Sequence, residues 1–230
     1  MDKTSLEKLK DKIIFSIEGN IGSGKTTLIK YLQQLKDNLL LIEEPISEWQ
    51  NIAGENLLEK KNADLERWGY SFEVYVLITK IKNLIKAVEN DKNNNKIILI
   101  ERCLLSDKAF FDVNVKNGKS NSMENAMFNN FYDFLSQNVY PKLNGVIFLD
   151  TPVDECIKRI KLRGRKEEEK IDKDYLNTLN DTFNELLQKV NCPILHVDGK
   201  YHLENGYLQT CEKILNFMEK CVEKKRDEEK

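Results

Sequence analysis

Two hydrophobic periodicities alternate along this chain of 230 residues. Short runs of apolar residues have the length and aliphatic composition of buried strands, and they lie at 13–17, 39–42, 96–100, 145–149 and 193–197. Between them, apolar residues recur at helical spacing, most clearly at 65–88 and 175–190. Continuous apolar strands that alternate with helices are typical of a parallel sheet covered by helices on both faces. The pattern therefore predicts a three-layer α/β fold with a five-stranded parallel sheet flanked by helices.

The first strand leads into a glycine-rich turn and then into a helix. The turn has the sequence Gly19-x-x-x-x-Gly24-Lys25-Thr26, which in this context is typical of a phosphate-binding P-loop. Glycines let consecutive backbone N–H groups converge on a triphosphate, and the helix N-terminus adds partial positive charge. We expect Lys25 to contact the β- and γ-phosphates and the Thr26 hydroxyl to ligate Mg²⁺. The residues predicted to bind the nucleotide are Gly19, Asn20, Ile21, Gly22, Ser23, Gly24, Lys25, Thr26 and Thr27.

Charged residues end the second and third strands. Glu44 stands before Pro45, which biases it away from helical geometry, and Glu101-Arg102 end the third run. Since the carboxyl ends of parallel strands share one edge of a sheet, we expect these residues beside the P-loop. A strand-end carboxylate is where P-loop enzymes hold Mg²⁺ or its water, so Glu101 and Thr26 are the predicted metal ligands. The alternative for Glu44 is a solvated surface acid.

An arginine-rich segment follows the fourth strand. Arg159, Arg163 and Arg165 precede three consecutive glutamates, and a glycine separates the last two arginines. Arginines at this spacing are suited to surround a transferring phosphoryl group. We therefore predict a short arginine-rich lid at 163–170. A mixed-charge surface loop is the alternative interpretation.

The predicted helix at 65–88 carries charge on its buried side. Its aromatic and aliphatic stripe is typical of a packed core. Glu73 and Lys80 are seven residues apart and therefore share one face of the helix. Polar side chains on a buried face need partners, which are either each other or a ligand.

Composition excludes several classes of protein. The formal net charge of −2 argues against a dedicated nucleic-acid-binding protein, which would carry a basic surface. No stretch reaches the ~20 apolar residues that cross a bilayer, and the charged N-terminus lacks a signal core, so we predict a cytoplasmic protein with no membrane partner. Five scattered cysteines indicate reduced thiols, and two histidines argue against a zinc site or a histidine triad. We predict one domain over 1–221 and a charged, disordered tail at 222–230.

Five blocks of sequence have a family resemblance when they are taken together. They are Ile17-Glu-Gly-Asn-Ile-Gly-Ser-Gly-Lys-Thr26, Glu44-Pro45-x-x-x-Trp49, Arg67-Trp68-x-x-x-Phe72, Glu101-Arg102 followed by Ser106-Asp107, and Arg159-x-x-x-Arg163-Gly-Arg165-x-Glu-Glu168. In this order they resemble the P-loop deoxynucleoside kinases, the group that includes deoxycytidine, deoxyguanosine and mitochondrial thymidine kinases. The resemblance implies ATP- and Mg²⁺-dependent transfer of the γ-phosphate to the 5′-hydroxyl of a deoxynucleoside, in nucleotide salvage.

The resemblance also assigns catalytic roles to individual residues. Glu44 is similar to the general base that accepts the proton of the 5′-hydroxyl, and Arg102 to the residue that orients that base. Arg163 and Arg165, with Arg159, resemble the lid cations that neutralise charge on the transferring phosphoryl group.

For the nucleoside itself, the resemblance implies a further set of contacts. Trp49 and Phe72 are expected to flank the nucleobase, and Glu168 is similar to the lid carboxylate that binds the 3′-hydroxyl. Members of the family are mostly dimers through helices beside the long helix at 65–88, so a homodimer is implied as well.

The chain departs from the family pattern at the predicted substrate site. Asn62 stands where the family has a tyrosine that contacts the 3′-hydroxyl, and Glu73 replaces the glutamine that contacts the base. An ionised glutamate only accepts hydrogen bonds, which suits guanine because its edge presents two adjacent donors. Lys80, at the family's arginine position, is expected to donate to the guanine carbonyl, and Asp107 matches the acid that accompanies it. We therefore predict a purine preference with deoxyguanosine first; the alternative is a Glu73–Lys80–Asp107 salt-bridge cluster that does not contact the base.

Other functions share parts of this motif set. A nucleoside monophosphate kinase of the thymidylate kinase type has the same P-loop, strand-end acid and arginine lid, but Glu43, Glu44 and Glu48 make the acceptor edge unsuited to a phosphate. A nucleotide-hydrolysing switch would carry an Asn-Lys-x-Asp motif, whereas Asn95-Lys96 is followed here by two isoleucines. An inactive scaffold would have lost motif residues that are present here.

Overall fold

A computed structural model describes residues 3–36, 38–200 and 207–228 of the chain. Its strands are β1 (Ile13–Gly19), β2 (Leu39–Ile42), β3 (Ile97–Glu101), β4 (Gly145–Asp150) and β5 (Ile194–Asp198). Its helices are α1 (Lys3–Lys10), α2 (Lys25–Leu35), α3 (Ile46–Gln50), α4 (Leu57–Ala63), α5 (Leu65–Asn90), α6 (Leu104–Lys116), α7 (Ser122–Asn138), α8 (Val153–Arg163), α9 (Lys173–Leu187) and α10 (Tyr207–Glu228), with a short 3-10 helix at Lys166–Glu168. The predicted α/β fold is confirmed.

The strands form a single parallel sheet in the order β2-β3-β1-β4-β5. β1 lies at its centre, with Ile17 opposite Glu101 of β3 and Gly19 opposite Leu149 of β4. Consecutive strands β1 and β2 are separated by β3, so the direction of winding reverses next to β1. Such a reversal leaves a crevice at the carboxyl ends of the strands. The P-loop opens into that crevice.

Alternate residues of β1 pack against the two helical layers. Ile14 belongs to a fully buried cluster with Phe111 and Phe128, whose stacked rings have centroids 3.9 Å apart. Phe15 and Ile17 face the other way, into a cluster formed with residues of α2 and α10. This period of two gives each face of the sheet its own core.

α5 is the longest helix and carries polar side chains into the interior. Its N-cap is Asp64, whose side chain accepts a hydrogen bond from the backbone N–H of Arg67. Glu73, Thr79 and Lys80 are buried on the side that faces the crevice and its wall. Because burial of such groups is costly without partners, these positions mark the neighbourhood of a site.

The C-terminal part of the chain differs from the prediction. α10 continues to Glu228, so residues 222–228 are helical, whereas sequence analysis assigned them to a disordered tail; residues 229 and 230 lie outside the described residues. The reason is that Val222, which is 7% exposed, completes the apolar stripe of Ile214 and Met218 at intervals of four residues. None of the described helices combines the length and apolarity that a bilayer crossing requires.

We predict that Val222→Ala lowers the free energy of unfolding by about 1–2 kcal/mol, because the truncation removes two buried methyl groups. Urea denaturation monitored by circular dichroism measures this change. Glu223→Ala, on the exposed side of the same turn, is the matched control. Equal stability of the Val222 variant and the wild type would contradict the docking of this turn.

Candidate active site

The carboxyl ends of β1, β2 and β3 open into a cavity of about 560 Å³. Its size is within the range of sites for small molecules, about 300–1,000 Å³. Most of the predicted site residues line it, namely Ile21, Gly22, Gly24, Lys25, Thr26, Thr27, Glu44, Trp49, Phe72, Glu73, Glu101, Arg102, Asp107, Arg163, Arg165 and Glu168. Five predicted residues do not line the cavity, namely Gly19, Asn20, Ser23, Lys80 and Arg159.

The P-loop backbone requires glycine at its bend. Gly22 has a φ of +76°, and a Cβ atom there would lie 2.6 Å from the carbonyl oxygen of Cys156. Gly24, with a φ of +101°, is the N-cap of α2 and adopts the left-handed conformation. This curvature turns backbone N–H groups at the start of α2 toward the cavity, where the partial positive charge of the helix favours an anion.

Lys25 is the first residue of α2, and its side chain packs beneath the P-loop. Its ammonium donates to the carbonyl oxygens of Gly19 (3.0 Å) and Asn20 (2.8 Å) and to the hydroxyl of Ser23 (3.2 Å). Burial, followed by the charge of nearby Arg102, lowers the pKa of Lys25 to about 7. A negatively charged ligand at this loop would raise that pKa again, because an opposite charge favours the charged form.

Arg159 stabilises the P-loop from behind and does not face the cavity. Its guanidinium donates to the carbonyl oxygens of Ser23 (2.8 Å) and Gly199 (2.9 Å) and to the carboxylate of Glu155 (3.2 Å). The prediction that Arg159 contacts the nucleotide differs from this geometry. Arg159 and Arg163 share one face of α8 but lie one turn apart along its axis, so that Arg159 packs on the loop and Arg163 reaches the cavity.

Glu44 is held between two cations. Its carboxylate accepts from Arg102 Nη1 at 2.7 Å and lies 3.3 Å from Lys80 Nζ. Burial would raise the pKa of Glu44, but the charges of Arg102, Lys80 and Lys25 outweigh burial and lower it to about 2. The side chain is therefore a fixed carboxylate at neutral pH, on the same edge as the P-loop.

Arg102 has an unusual backbone conformation that aims its side chain at Glu44. Its φ of +57° lies in the left-handed region, which is strained for a residue with a side chain. The turn after β3 is secured by Glu18, a buried residue of β1 that accepts from the backbone N–H of Cys103 at 2.8 Å and from the hydroxyl of Ser106. Sequence analysis missed Glu18, although an acid inside a buried strand was the available signal.

Thr26 and Glu101 meet at the floor of the cavity. The Thr26 hydroxyl donates to Glu101 Oε1 at 2.6 Å, and burial together with the charge of Glu44 raises the pKa of Glu101. A hydroxyl and a carboxylate are the oxygen ligands that Mg²⁺ prefers, and the ion commonly takes only one or two protein carboxylates when phosphates complete its shell. These two residues therefore fit the predicted metal.

Aromatic rings form the wall opposite the P-loop. Trp49 and Phe72 are in edge-to-face contact, with centroids 5.6 Å apart and an interplanar angle of 78°. Trp49 Nε1 donates to the hydroxyl of Thr79 at 2.9 Å, which fixes the indole. Phe110 and Tyr175 also line the cavity, and the buried Tyr175 hydroxyl has no hydrogen-bond partner among the described residues. A flat apolar ligand part matches this wall.

Lys80 takes a different position from the predicted one. Asp107 and Glu44 bind its ammonium. Burial opposes the charge, but these two carboxylates outweigh burial and raise the pKa of Lys80. The side chain does not line the cavity. The predicted donation from Lys80 to a base carbonyl differs from this arrangement, because two buried carboxylates already surround the ammonium. Glu73 is not part of this cluster. Its neighbour is Lys61, at 3.9 Å.

The lid is paired with itself and with α4. Arg163 donates to Glu168 at 2.7 Å, and Arg165 lies 3.5 Å from the same carboxylate. The next acid, Glu167, accepts from Gln50 (2.7 Å) and Asn56 (3.1 Å), and Asn62 donates to the Glu167 backbone carbonyl. Asn62, one of the residues that depart from the family pattern, therefore contacts the lid.

Comparison with known proteins identifies the family. The family model for deoxynucleoside kinases matches residues 15–223. The chain belongs to the deoxynucleoside kinase family. It is 35% identical over 190 residues to a probable deoxycytidine kinase of Fowlpox virus (strain NVSL), covering 80% of this chain and 77% of that protein. It is 32% identical over 197 residues to deoxycytidine kinase 2 of Gallus gallus, covering 77% and 74%.

The relatives also include a mitochondrial thymidine kinase. The chain is 27% identical over 204 residues to thymidine kinase 2 of Homo sapiens, covering 86% of this chain and 75% of that protein. The predicted enzyme class is thereby confirmed, and the deoxynucleoside kinase acts on small-molecule nucleosides.

We predict that Glu73→Gln stabilises the protein more at pH 8 than at pH 5. Burial raises the pKa of Glu73 to about 7, so the folded state keeps a proton that the unfolded state loses, and wild-type stability falls as pH rises from about 4.5 to about 7. Glutamine does not ionise. The free energy of unfolding of Glu73→Gln relative to the wild type should therefore increase by about 2 kcal/mol from pH 5 to pH 8.

Urea denaturation of both proteins at pH 5 and pH 8 measures this difference. Glu43→Gln, a matched change at an exposed position, is the control. A difference between Glu73→Gln and wild type that is independent of pH would contradict a buried, proton-retaining Glu73.

Proposed function

We propose that this deoxynucleoside kinase transfers the γ-phosphate of ATP to the 5′-hydroxyl of a deoxynucleoside, with Mg²⁺ as the metal. The observation that carries the proposal is the Glu44–Arg102 ion pair of 2.7 Å on the same cavity edge as the P-loop. An ionised carboxylate at this position is suited to a hydroxyl acceptor and repels a phosphate. It therefore favours a nucleoside over a nucleoside monophosphate as the acceptor.

Glu44 acts by orienting the hydroxyl and accepting its proton. With a pKa of about 2 it is a weak base, so the proton passes to the carboxylate as the new oxygen–phosphorus bond forms. Arg102 fixes the carboxylate on one side and Lys80 on the other. Most of the rate enhancement in phosphoryl transfer comes from such positioning and from charge stabilisation.

The triphosphate is bound by the loop and the lid. Backbone N–H groups of the P-loop and the Lys25 ammonium hold the β- and γ-phosphates. Arg163 and Arg165 neutralise the transferring group once a phosphate competes with Glu168 for them, which leaves that carboxylate for the 3′-hydroxyl. Thr26 and Glu101 would hold the metal. When bound, Mg²⁺ would supply positive charge that stabilises the charge developing during phosphoryl transfer.

For the base, we propose a purine preference with deoxyguanosine first. Glu73 lines the cavity, and its Oε1 has no hydrogen-bond partner among the residues that the structure describes. An ionised carboxylate accepts from the two adjacent N–H groups of guanine. Trp49 and Phe72 lie on the wall beside it and provide the apolar surface for the ring.

We expect labelled ATP with Mg²⁺ to phosphorylate deoxyguanosine above the other three deoxynucleosides, with the matching monophosphates as controls. Glu44→Gln should lower kcat by about 10²-fold or more, because the variant neither accepts the proton nor pairs with Arg102. Glu43→Gln, its exposed neighbour, should leave kcat within about twofold, since the Glu43 side chain does not line the cavity and surface changes have small effects.

Product from monophosphates alone would contradict the proposed acceptor and favour a thymidylate-type kinase. ATP hydrolysis that does not respond to added nucleosides would instead favour a nucleotide-hydrolysing switch. Pyrimidine deoxynucleosides as the best substrates would retain the kinase and exclude the purine preference.

We also propose a homodimer. On α7, the exposed residues Met123, Met127, Phe131 and Phe134 form one apolar stripe. Helix α5 packs against α7, and its Ile78 is 52% exposed. Exposed apolar surface of this kind is typical of a protein interface.

Five free cysteines favour a reducing compartment such as the cytoplasm, and the reaction would serve nucleotide salvage there.

Sedimentation analysis should find a dimer at micromolar concentration for the wild type. Phe131→Glu should convert it to a monomer, because the charge would be buried without a partner in the interface. Lys108→Glu, on neighbouring α6, is a control outside the stripe. A monomeric wild type would contradict the proposed dimer.

A further inference from the structure

Lys61 is a buried cation in the cavity that the proposed mechanism does not use. It lies on α4, is 8% exposed and lines the same cavity as Phe72 and Glu73. Its ammonium is 5.4 Å from the centroid of the Phe72 ring and 6.0 Å from that of Phe110. Sequence analysis missed it, because a lysine in a short polar helix has the pattern of a solvated side chain.

Its nearest acid is too distant for a hydrogen bond. Lys61 Nζ lies 3.9 Å from Glu73 Oε1, and the side chains are 10% and 2% exposed. Within the described residues, Glu73 Oε1 has no hydrogen-bond partner. A buried ion pair is favourable only when further hydrogen bonds satisfy its remaining donors and acceptors. The pair therefore presents an unused donor and an unused acceptor side by side.

The two neighbouring buried cations are paired with protein carboxylates at short distance. Lys80, outside the cavity lining, is bound by Asp107 and Glu44, and Arg102 donates to Glu44 at 2.7 Å, although its Nε has no hydrogen-bond partner among the described residues. Lys61 differs from both, because the carboxylate nearest to its Nζ in the described structure is that of Glu73, at 3.9 Å.

We propose that Lys61 is a base-selecting residue, which donates to a ring carbonyl oxygen while Glu73 accepts from the adjacent ring N–H. This proposal rests on the proposed nucleoside kinase function and adds a specificity-determining residue to it. The pair matches bases with a carbonyl next to an N–H group, which are guanine and thymine. Adenine and cytosine present an amino group and an unprotonated ring nitrogen instead. The Lys61 donor would then face the amino donor, and the Glu73 acceptor would face the ring-nitrogen acceptor.

Guanine gains one contact over thymine. Its exocyclic amino group offers a second donor next to the ring N–H, and a carboxylate has two oxygens to accept them. The expected ranking is deoxyguanosine, then thymidine, then deoxyadenosine and deoxycytidine. This ranking keeps deoxyguanosine first but replaces the wider purine preference proposed above, because thymidine precedes deoxyadenosine.

Equilibrium binding of the four deoxynucleosides, measured by calorimetry without ATP, tests the assignment. At pH 8, above the Glu73 pKa of about 7, the wild type should show this ranking. Lys61→Met should weaken deoxyguanosine and thymidine about tenfold or more and change deoxyadenosine and deoxycytidine by less than about threefold. Lys61→Arg, which keeps donors at this position, should retain the ranking.

Lys60→Met is the matched control on the same helix. Lys60 pairs with Glu55 at 2.9 Å and lies over Trp68, and it does not line the cavity. An equal loss for all four nucleosides in Lys61→Met would overturn the proposal, because it would indicate a structural role only. Wild-type binding that does not favour guanine and thymine would also overturn it, whether or not the variant folds.

Phosphate transfer measured in parallel separates this proposal from the proposed function. A protein that ranks the nucleosides as expected but transfers no phosphate contradicts the proposed function alone. A protein that transfers phosphate with another base ranking overturns the role of Lys61 alone.

Discussion

The buried charge cluster at the carboxyl edge of the sheet constrains the rest of this structure. Glu44 lies between Arg102 and Lys80, and Lys80 is also bound by Asp107. Removing one partner of a buried ion pair leaves an uncompensated charge, at a cost of about 3–5 kcal/mol. Glu44 follows β2 and Arg102 follows β3, so the cluster requires these strands to be neighbours. The strand order and the site chemistry therefore depend on each other.

The same constraint explains the strained turn after β3. Arg102 reaches Glu44 from a backbone with a φ of +57°, and Glu18 fixes the following residues through the Cys103 N–H and the Ser106 hydroxyl. Strain of this kind persists where surrounding contacts over-determine the conformation, which is common at functional sites. Glu18 of the central strand thus fixes the turn that carries Arg102, and Arg102 in turn fixes the carboxylate of Glu44.

The cavity has two chemically different ends. At one end, the P-loop backbone and the Lys25 ammonium provide positive charge that suits phosphates. At the other end, Lys61 and Glu73 lie among aromatic rings, with one donor and one acceptor that protein groups do not fully use. The lid borders this cavity through Arg163 and Arg165, and its Glu167 is bound to Gln50 and Asn56. One short segment therefore joins the cavity to α3 and to the N-cap of α4.

Hydrophobic periodicity and glycine spacing are local constraints, so the five strands, the P-loop and the edge of the sheet where the site lies could be predicted from the amino-acid sequence. Which charged residues pair with each other depends on the folded structure. Lys80 was predicted to face the base and pairs with Asp107 and Glu44, while Lys61 occupies the cavity beside Glu73. The packing of Val222 also makes α10 longer than predicted, because this buried contact outweighs the charged composition of residues 222–228. Such outcomes depend on which side chains from distant segments meet, and that information is not local in the chain.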